Sequence, residues 1–279
     1  MELSFIENLI LGLISGFTEV LPVSAQAHRN VLLKMLGMAG DSPVLRLMIH
    51  MGTVFALYFY CKGHIVRMMR AQRLVRIPKN RRKRPLDTEA LMDFNFLKTT
   101  LIPIILGALI ISRVDFAKGR LLWTAGFLLL NGIILYIPQY LPGSNKQAGA
   151  LSRVDSLYFG LGGFLGMLPG ISSIGSALSI GSVRGMDMDK AFSFALLMNI
   201  PVNLCLAALD LITLVSGGAG SLAFKALVFS LFAGAAAFAG IILAIHMMKK
   251  LAVSVGYGIF SFYSWGAAML TFLLYLAAA

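Results

Sequence analysis

Glu19, Ser24 and His28 stand within the stretch GFTEVLPVSAQAH, inside a segment that is otherwise apolar. A carboxylate at mid-bilayer costs roughly 2.5–3.5 kcal/mol on insertion scales, so an acid placed there is functional by default. Ser24 follows Pro22 and can cap the helix that begins after it. Ser24 and His28 are four residues apart and share a helical face. Glu19 lies on the other side of the proline, and folding the chain there is expected to bring all three toward the tip of a hairpin. A carboxylate, a hydroxyl and an imidazole in that arrangement suit metal binding, proton transfer or nucleophilic attack.

A second group of polar residues follows Gly170 in LPGISSIGSAL, where Ser172, Ser173 and Ser176 cluster behind another proline break. Each break leaves a helix N-terminus deep in an apolar segment, with free N–H groups and the positive dipole end suited to an anion. The inference is a midplane pocket for an anion, with a carboxylate and a histidine beside it. A phosphate or diphosphate carried by a lipid fits that depth. Taken singly, these residues have plainer roles: Ser24 as a cap, His28 as a partner for a neighbouring helix, and the serines and glycines of the second break as small residues for close packing. His50 reads as a packing residue and Glu7 as a surface one, while Asp210 is an intramembrane acid without an assigned role.

The elements that must position these residues follow from hydropathy. Of the 279 residues, 58% are hydrophobic and 13% charged, with mean hydropathy +0.82, which points to a polytopic helical membrane protein. The net charge is +12, but 10 of the 24 Lys and Arg residues fall between Lys62 and Arg84. That is one cytoplasmic loop able to meet anionic head groups, so nucleic acid is not an expected partner. Cys61 and Cys205 lie in apolar stretches and suggest neither a disulfide framework nor a metal site. The N-terminal stretch lacks a basic leader region and is not read as a cleaved signal peptide.

Spans are expected at 46–61, 97–112, 121–138, 191–216, 222–248 and from 251 to the C-terminus. The segments 5–36 and 157–183 are apolar but interrupted at Pro22 and at Pro169–Gly170, each half long enough for half a bilayer. Paired interrupted segments point to an inverted repeat with a site at the midplane. The fold class is therefore all-α integral membrane protein: two inverted-topology repeats, each a re-entrant helix hairpin plus about three transmembrane helices. A single membrane domain is expected over 1–279, with repeats at about 1–140 and 155–279 and a basic cytoplasmic loop at about 62–95. Placing that loop inside makes the first hairpin open outward and the second inward. Arg113, Lys118 and Arg120 then fall outside, against the rule, but the basic loop is much larger.

GFTEVLPVSAQAH resembles the signature E-G-x-T-E-F-L-P-V-S-S-T-G-H of the bacterial undecaprenyl-diphosphate phosphatases of the bacitracin-resistance type. LPGISSIGSAL is similar to that family's P-G-x-S-R-S-G-A-T, RLMIHMGTVFALYF to its I-H-L-G-T span, and FSFALLMNIPVNL to its F-S-F-L-L-x-I-P. The matches run in order from about Gly16 to Leu204. The resemblance implies hydrolysis of a polyprenyl diphosphate carrier to its monophosphate at an outward-facing site needing a divalent metal, Mg or Ca, in a bacterial plasma membrane. It also implies recycling of peptidoglycan precursors and bacitracin resistance. By the same resemblance Glu19 binds the metal or handles a proton, His28 is base or nucleophile, and Ser24 contacts phosphate or attacks it. Gly170, Ser172, Ser173 and Ser176 hold the diphosphate. The expected partners are the lipid and the membrane, with a homodimer as the candidate assembly. The chain departs from the pattern at Ser15 (acidic in the family), Ala25, Ser173 (arginine), Ile174 and Ala177. Arg29 and Arg184 are the alternative cations. Arg29 is the weaker on helical geometry, because it adjoins His28 and cannot face the same way, and Arg184 lies far from the break. A non-catalytic lipid-phosphate carrier or flippase on the same fold is the alternative reading, and a small-anion or proton-coupled transporter a third.

The charge asymmetry makes a topological prediction. Cysteines introduced at Asn80 and Ala278 should react with impermeant thiol reagents added from opposite sides of the membrane. Labelling of both from one side contradicts the inversion of the halves.

Overall fold

The protein is described here by a computed structural model covering residues 3–38, 42–116, 120–140, 151–217, 224–254 and 257–277. Lys118, the polar stretch 143–150, the glycine-rich connector at 218–220 and Ala278 lie outside the described residues. The first five helices are α1 (Phe5–Val20), α2 (Ala25–Met35), α3 (Pro43–Val75), α4 (Thr88–Ile111) and α5 (Arg120–Tyr136). The others are α6 (Arg153–Leu165), α7 (Ser173–Val183), α8 (Met188–Ser216), α9 (Phe224–Ser254) and α10 (Ile259–Leu276). No strand occurs among the described residues. Six helices, α3, α4, α5, α8, α9 and α10, are long and apolar enough to cross a membrane. Their outer faces keep large apolar side chains exposed, such as Ile105 and Leu109 on α4 and Met269 and Leu273 on α10, as lipid-facing helices do. The chain is a multi-pass membrane protein.

All six expected spans are present, with two differences. Helix α3 does not stop at Cys61 but runs 33 residues, roughly 50 Å at 1.5 Å per residue, well beyond the hydrocarbon core. The Arg-, Met- and Leu-rich continuation has high helix propensity. Its Arg67 donates to Asp87 at 2.6 Å and to Glu89 at 2.9 Å, clipping the end of α3 to the start of α4. That guanidinium holds the Asp87 carboxyl below its ordinary range, and Asp87 also caps α4 by accepting from the Ala90 N–H. The other difference is the last span: the sequence places its start at Leu251, whereas α9 continues to Ser254 and α10 begins at Ile259.

Both interrupted segments break where the prolines predict. Ser24 caps α2, accepting from the Ala27 N–H at 3.2 Å, and Ser172 caps α7, accepting from the Gly175 N–H at 3.1 Å. Gly170 sits at φ +139°, and a Cβ there would lie 2.6 Å from the Phe127 side chain, so no other residue fits. The two breaks touch. Ser172 Oγ donates to the Leu21 carbonyl at 3.0 Å and Ser172 N–H to Asn131 Oδ1 at 2.9 Å. Asn131 Nδ2 in turn donates to the Pro22 carbonyl at 3.3 Å and to Ser264 Oγ at 2.9 Å.

Around this crossing α1 packs on α9, α6 on α4, α3 on α8 and α5 on α10. Small residues make the α1–α9 seam: a Cβ at Gly12 or Gly16 would fall 2.1 or 2.0 Å from the carbonyl oxygens of Ala233 and Ala237. Backbone that close is the small-residue mode of association between helices in lipid. Gly16→Leu must force the seam apart, which exceeds the usual 1–3 kcal/mol of overpacking. The expected outcome is loss of monodisperse protein in detergent, or a thermal midpoint lowered by many degrees. An unchanged midpoint contradicts the seam.

Candidate active site

Glu19 stands at the end of α1, half-buried, and reaches to α8. Its Oε1 accepts from Asn199 Nδ2 and Asn203 Nδ2, each at 3.0 Å. These asparagines are four residues apart, one turn of the same helix, and fully buried. Asn203 Nδ2 also donates to the Asn199 carbonyl at 3.0 Å. Both of its amide hydrogens are thus directed at acceptor-only oxygens, so Oδ1 must face the other way, toward His50 Nδ1 at 2.8 Å. An amide oxygen can only accept, so His50 carries its proton on Nδ1. His50 Nε2 lies 3.6 Å from Asp210 Oδ2, and Asp210 Oδ1 accepts from Arg46 Nε at 2.6 Å. One polar chain, Glu19–Asn203–His50–Asp210–Arg46, therefore links α1, α8 and α3 through the protein interior.

The far end of that chain borders a cavity of about 320 Å³. Arg29 of α2, Arg46 of α3 and Arg120 of α5 line it, with His50 and Asp210 between them. Met167 and Pro169 of the second break and Gln26 and Asn30 of α2 complete much of the wall. The end of α4, the start of α5 and the end of α8 surround it, so it sits at the end of the helical body opposite the basic loop. Arg120, which the charge pattern places on the non-cytoplasmic side against the rule, is there as cavity wall. Three guanidiniums and one carboxylate around one polar space leave its wall with an excess of positive charge, which favours an anion.

The residues singled out from the sequence do not all converge. Ser24 is 1% exposed, with its hydroxyl capping α2. His28 turns toward α10: Nδ1 donates to the Ser24 carbonyl at 2.7 Å, and Nε2 accepts from the Tyr263 hydroxyl at 2.5 Å. It borders a separate apolar groove lined by Ile14, Val31, Leu128 and Leu270, whereas Glu19 faces α8. Ser172 and Gly170 are engaged in the crossing of the two breaks. Ser173 and Ser176 are buried, and their hydroxyls have no hydrogen-bond partner. Arg184 pairs with Asp155 at 2.5 Å and lies over the Tyr158 ring, tying the far ends of α6 and α7 together. Arg29, the weaker cation by helical geometry, is the one that lines the cavity, because its neighbour His28 points the other way.

His50, Asp210, Arg46, Asn199 and Asn203 carry the polar chain without having been singled out for chemistry. The sequence held one signal for them: two asparagines at helical spacing within the apolar run of α8, where polar side chains are expensive unless they face a partner.

Known proteins resemble this chain over most of its length. A family model described as bacitracin resistance protein BacA matches residues 8–270. An undecaprenyl-diphosphatase of Methanobrevibacter smithii is 30% identical, covering 97% of this chain and 98% of that protein. One from Nocardioides sp. is 32% identical over 71% of each chain. One from Thermosipho melanesiensis is 26% identical over 96% of this chain and 98% of its own.

The chain of hydrogen bonds can be tested at its middle. Asn203→Leu removes one donor from Glu19 and the only acceptor shown for His50 Nδ1. A buried polar group left unpaired costs about 1–3 kcal/mol, so the variant should unfold at lower temperature in detergent. Asn203→Ala combined with His50→Ala should cost less than the sum of the single changes, and strict additivity contradicts the coupling.

Proposed function

The chain belongs to the bacitracin resistance protein BacA family, and on that premise we propose that it is an undecaprenyl-diphosphate phosphatase. It hydrolyses the terminal phosphoanhydride of a polyprenyl diphosphate, releasing inorganic phosphate and leaving the lipid monophosphate. The carrier is thereby returned for peptidoglycan precursor synthesis, which is the basis of bacitracin resistance. The observation that carries this reading is the arginine-walled cavity in a body whose long helices keep large apolar side chains exposed. Such a body suits a substrate with a lipid tail and a multiply charged head. The family pattern's arginine is replaced by Ser173, and Arg29, Arg46 and Arg120 supply cations from other elements.

The setting follows from the same features. The cavity faces outward from a bacterial plasma membrane, because the ten cations between Lys62 and Arg84 mark the opposite end as cytoplasmic. The reciprocal packing of α1 on α9 and α6 on α4 supports two inverted repeats, about 1–140 and 155–279, in one membrane domain.

A divalent metal fits at Glu19. Its carboxylate is held by two neutral amides rather than by a cation, so its charge is not cancelled by contact, and both donors lie on Oε1. No group of three or more His, Cys, Asp or Glu gathers around an ion among the described residues. Glu19 would therefore hold Mg or Ca with few other protein ligands, as Mg sites commonly do. Bound there, the ion would offset phosphate charge in the transition state. The chain's own residues do the rest: the arginines grip and orient the diphosphate.

The assay is phosphate release from polyprenyl diphosphate by protein in detergent, with Mg or Ca and with chelator. Glu19→Gln should abolish turnover while the protein still inserts. A charge-assisted hydrogen bond is worth about 1.5–3 kcal/mol, so Arg29→Ala should lower kcat/KM about 10- to 200-fold. Arg29→Lys should recover only part, since lysine lacks the fork. Tight binding of the lipid diphosphate with no release by the wild type would replace this reading with the carrier.

A further inference from the structure

Two histidines lie near the first break, and only one borders the cavity. Both ring nitrogens of His28 are engaged, by the Ser24 carbonyl and the Tyr263 hydroxyl, beside an apolar groove. His50 lines the arginine cavity and is 4% exposed. Its Nδ1–H is donated to Asn203 Oδ1, so the lone pair of the neutral ring is on Nε2, the nitrogen that faces Asp210 at 3.6 Å. That is the arrangement of a general base: one nitrogen held in its tautomer by a fixed acceptor, the other on the wall of the cavity without a donor shown to it, and a carboxylate placed to meet the cation formed on protonation. The charges acting on the ring come from Glu19 of α1, Arg29 of α2, Arg46 of its own helix and Asp210 of α8.

Resting on the phosphatase reading, we propose that His50 is the general base of the hydrolysis, with Asp210 stabilising its imidazolium and Asn203 setting its tautomer. A water oxygen attacks the terminal phosphorus and forms the new P–O bond. The anhydride P–O bond breaks, and its electron pair leaves on the bridging oxygen with the lipid monophosphate. The water's proton moves to His50 Nε2 and is returned to solvent after the products separate. Asn203 is a positioning residue. It also couples the base to Glu19, so the two ends of the cleavage site share one rigid support.

The test measures kcat/KM against pH for wild type and His50→Gln, with binding of a methylene-bridged, non-hydrolysable polyprenyl diphosphonate as the control for folding. General-base catalysis contributes about 10²- to 10⁴-fold. His50→Gln should lose that much, should lose the acid limb of the profile, and should still bind the diphosphonate. Near-wild-type turnover with the acid limb intact overturns the role of His50 while leaving the phosphatase reading standing. A wild type that releases no phosphate overturns both. Should His50→Gln fail to fold, Asp210→Asn, which keeps the shape of the side chain, replaces it. Lower kcat with a displaced acid limb and unchanged diphosphonate binding supports the assignment, and an unmoved limb with full kcat overturns it.

Discussion

A helix broken inside an apolar interior exposes backbone groups that must find partners there, and this chain breaks two of them. The solution is reciprocal. The carbonyls of Leu21 and Pro22, freed at the first break, accept from Ser172 and Asn131. The Ser172 N–H, freed at the second, donates to Asn131. Asn131 of α5 thus serves both breaks at once, and Ser264 of α10 accepts its remaining hydrogen. Buried irregular backbone is tolerated only where protein or ordered water satisfies it. The meeting of the breaks is therefore a condition for having either of them.

Once the breaks are locked together, the orientation of α2 is determined. It leaves the crossing capped by Ser24, and Asn30 Nδ2 donates to Thr124 Oγ1 of α5 at 3.0 Å, which halts its rotation. Arg29 then faces the cavity and His28 the apolar groove. The electrostatics follow from the same geometry. Glu19 is held by amides, Asp210 by Arg46, and the arginines line one space rather than being scattered. In a low-dielectric setting each of these interactions is stronger than it would be in water, and so is the penalty for leaving one unmade.

Much of this was readable in the sequence. Hydropathy gave the six spans, prolines gave the two breaks, and the serines after them gave the caps. The motif GFTEVLPVSAQAH pointed to the family and to Glu19. The facing of residues on α2 was not readable. Its sequence, AQAHRNVLLKM, mixes polar and apolar positions on several sides, so no single apolar stripe reports its rotation. Ser24 spends its hydroxyl on the cap and His28 turns to α10, so neither faces α8 as Glu19 does. His50 looked like packing because a lone histidine in an apolar run carries no partner with it. Its partners, Asn203 and Asp210, are more than 150 residues away, and only the fold brings α3 against α8. The basic continuation of α3 was missed because the span was read from apolar residues, whereas the helix persists on propensity and on the Arg67 clip.

Helix α2 has only eleven residues and separates a charged cavity from an apolar groove with side chains that are neighbours in sequence. Each residue along a helix turns by about 100°. Substitution at one position alters one wall, but adding or removing a single residue between Ser24 and Arg29 would rotate everything beyond it by that angle. It would carry an arginine toward lipid and an apolar side chain toward the cavity. The hairpin should therefore be permissive in composition and intolerant in length: across natural variation, residues 24–30 can change identity more readily than they can change in number.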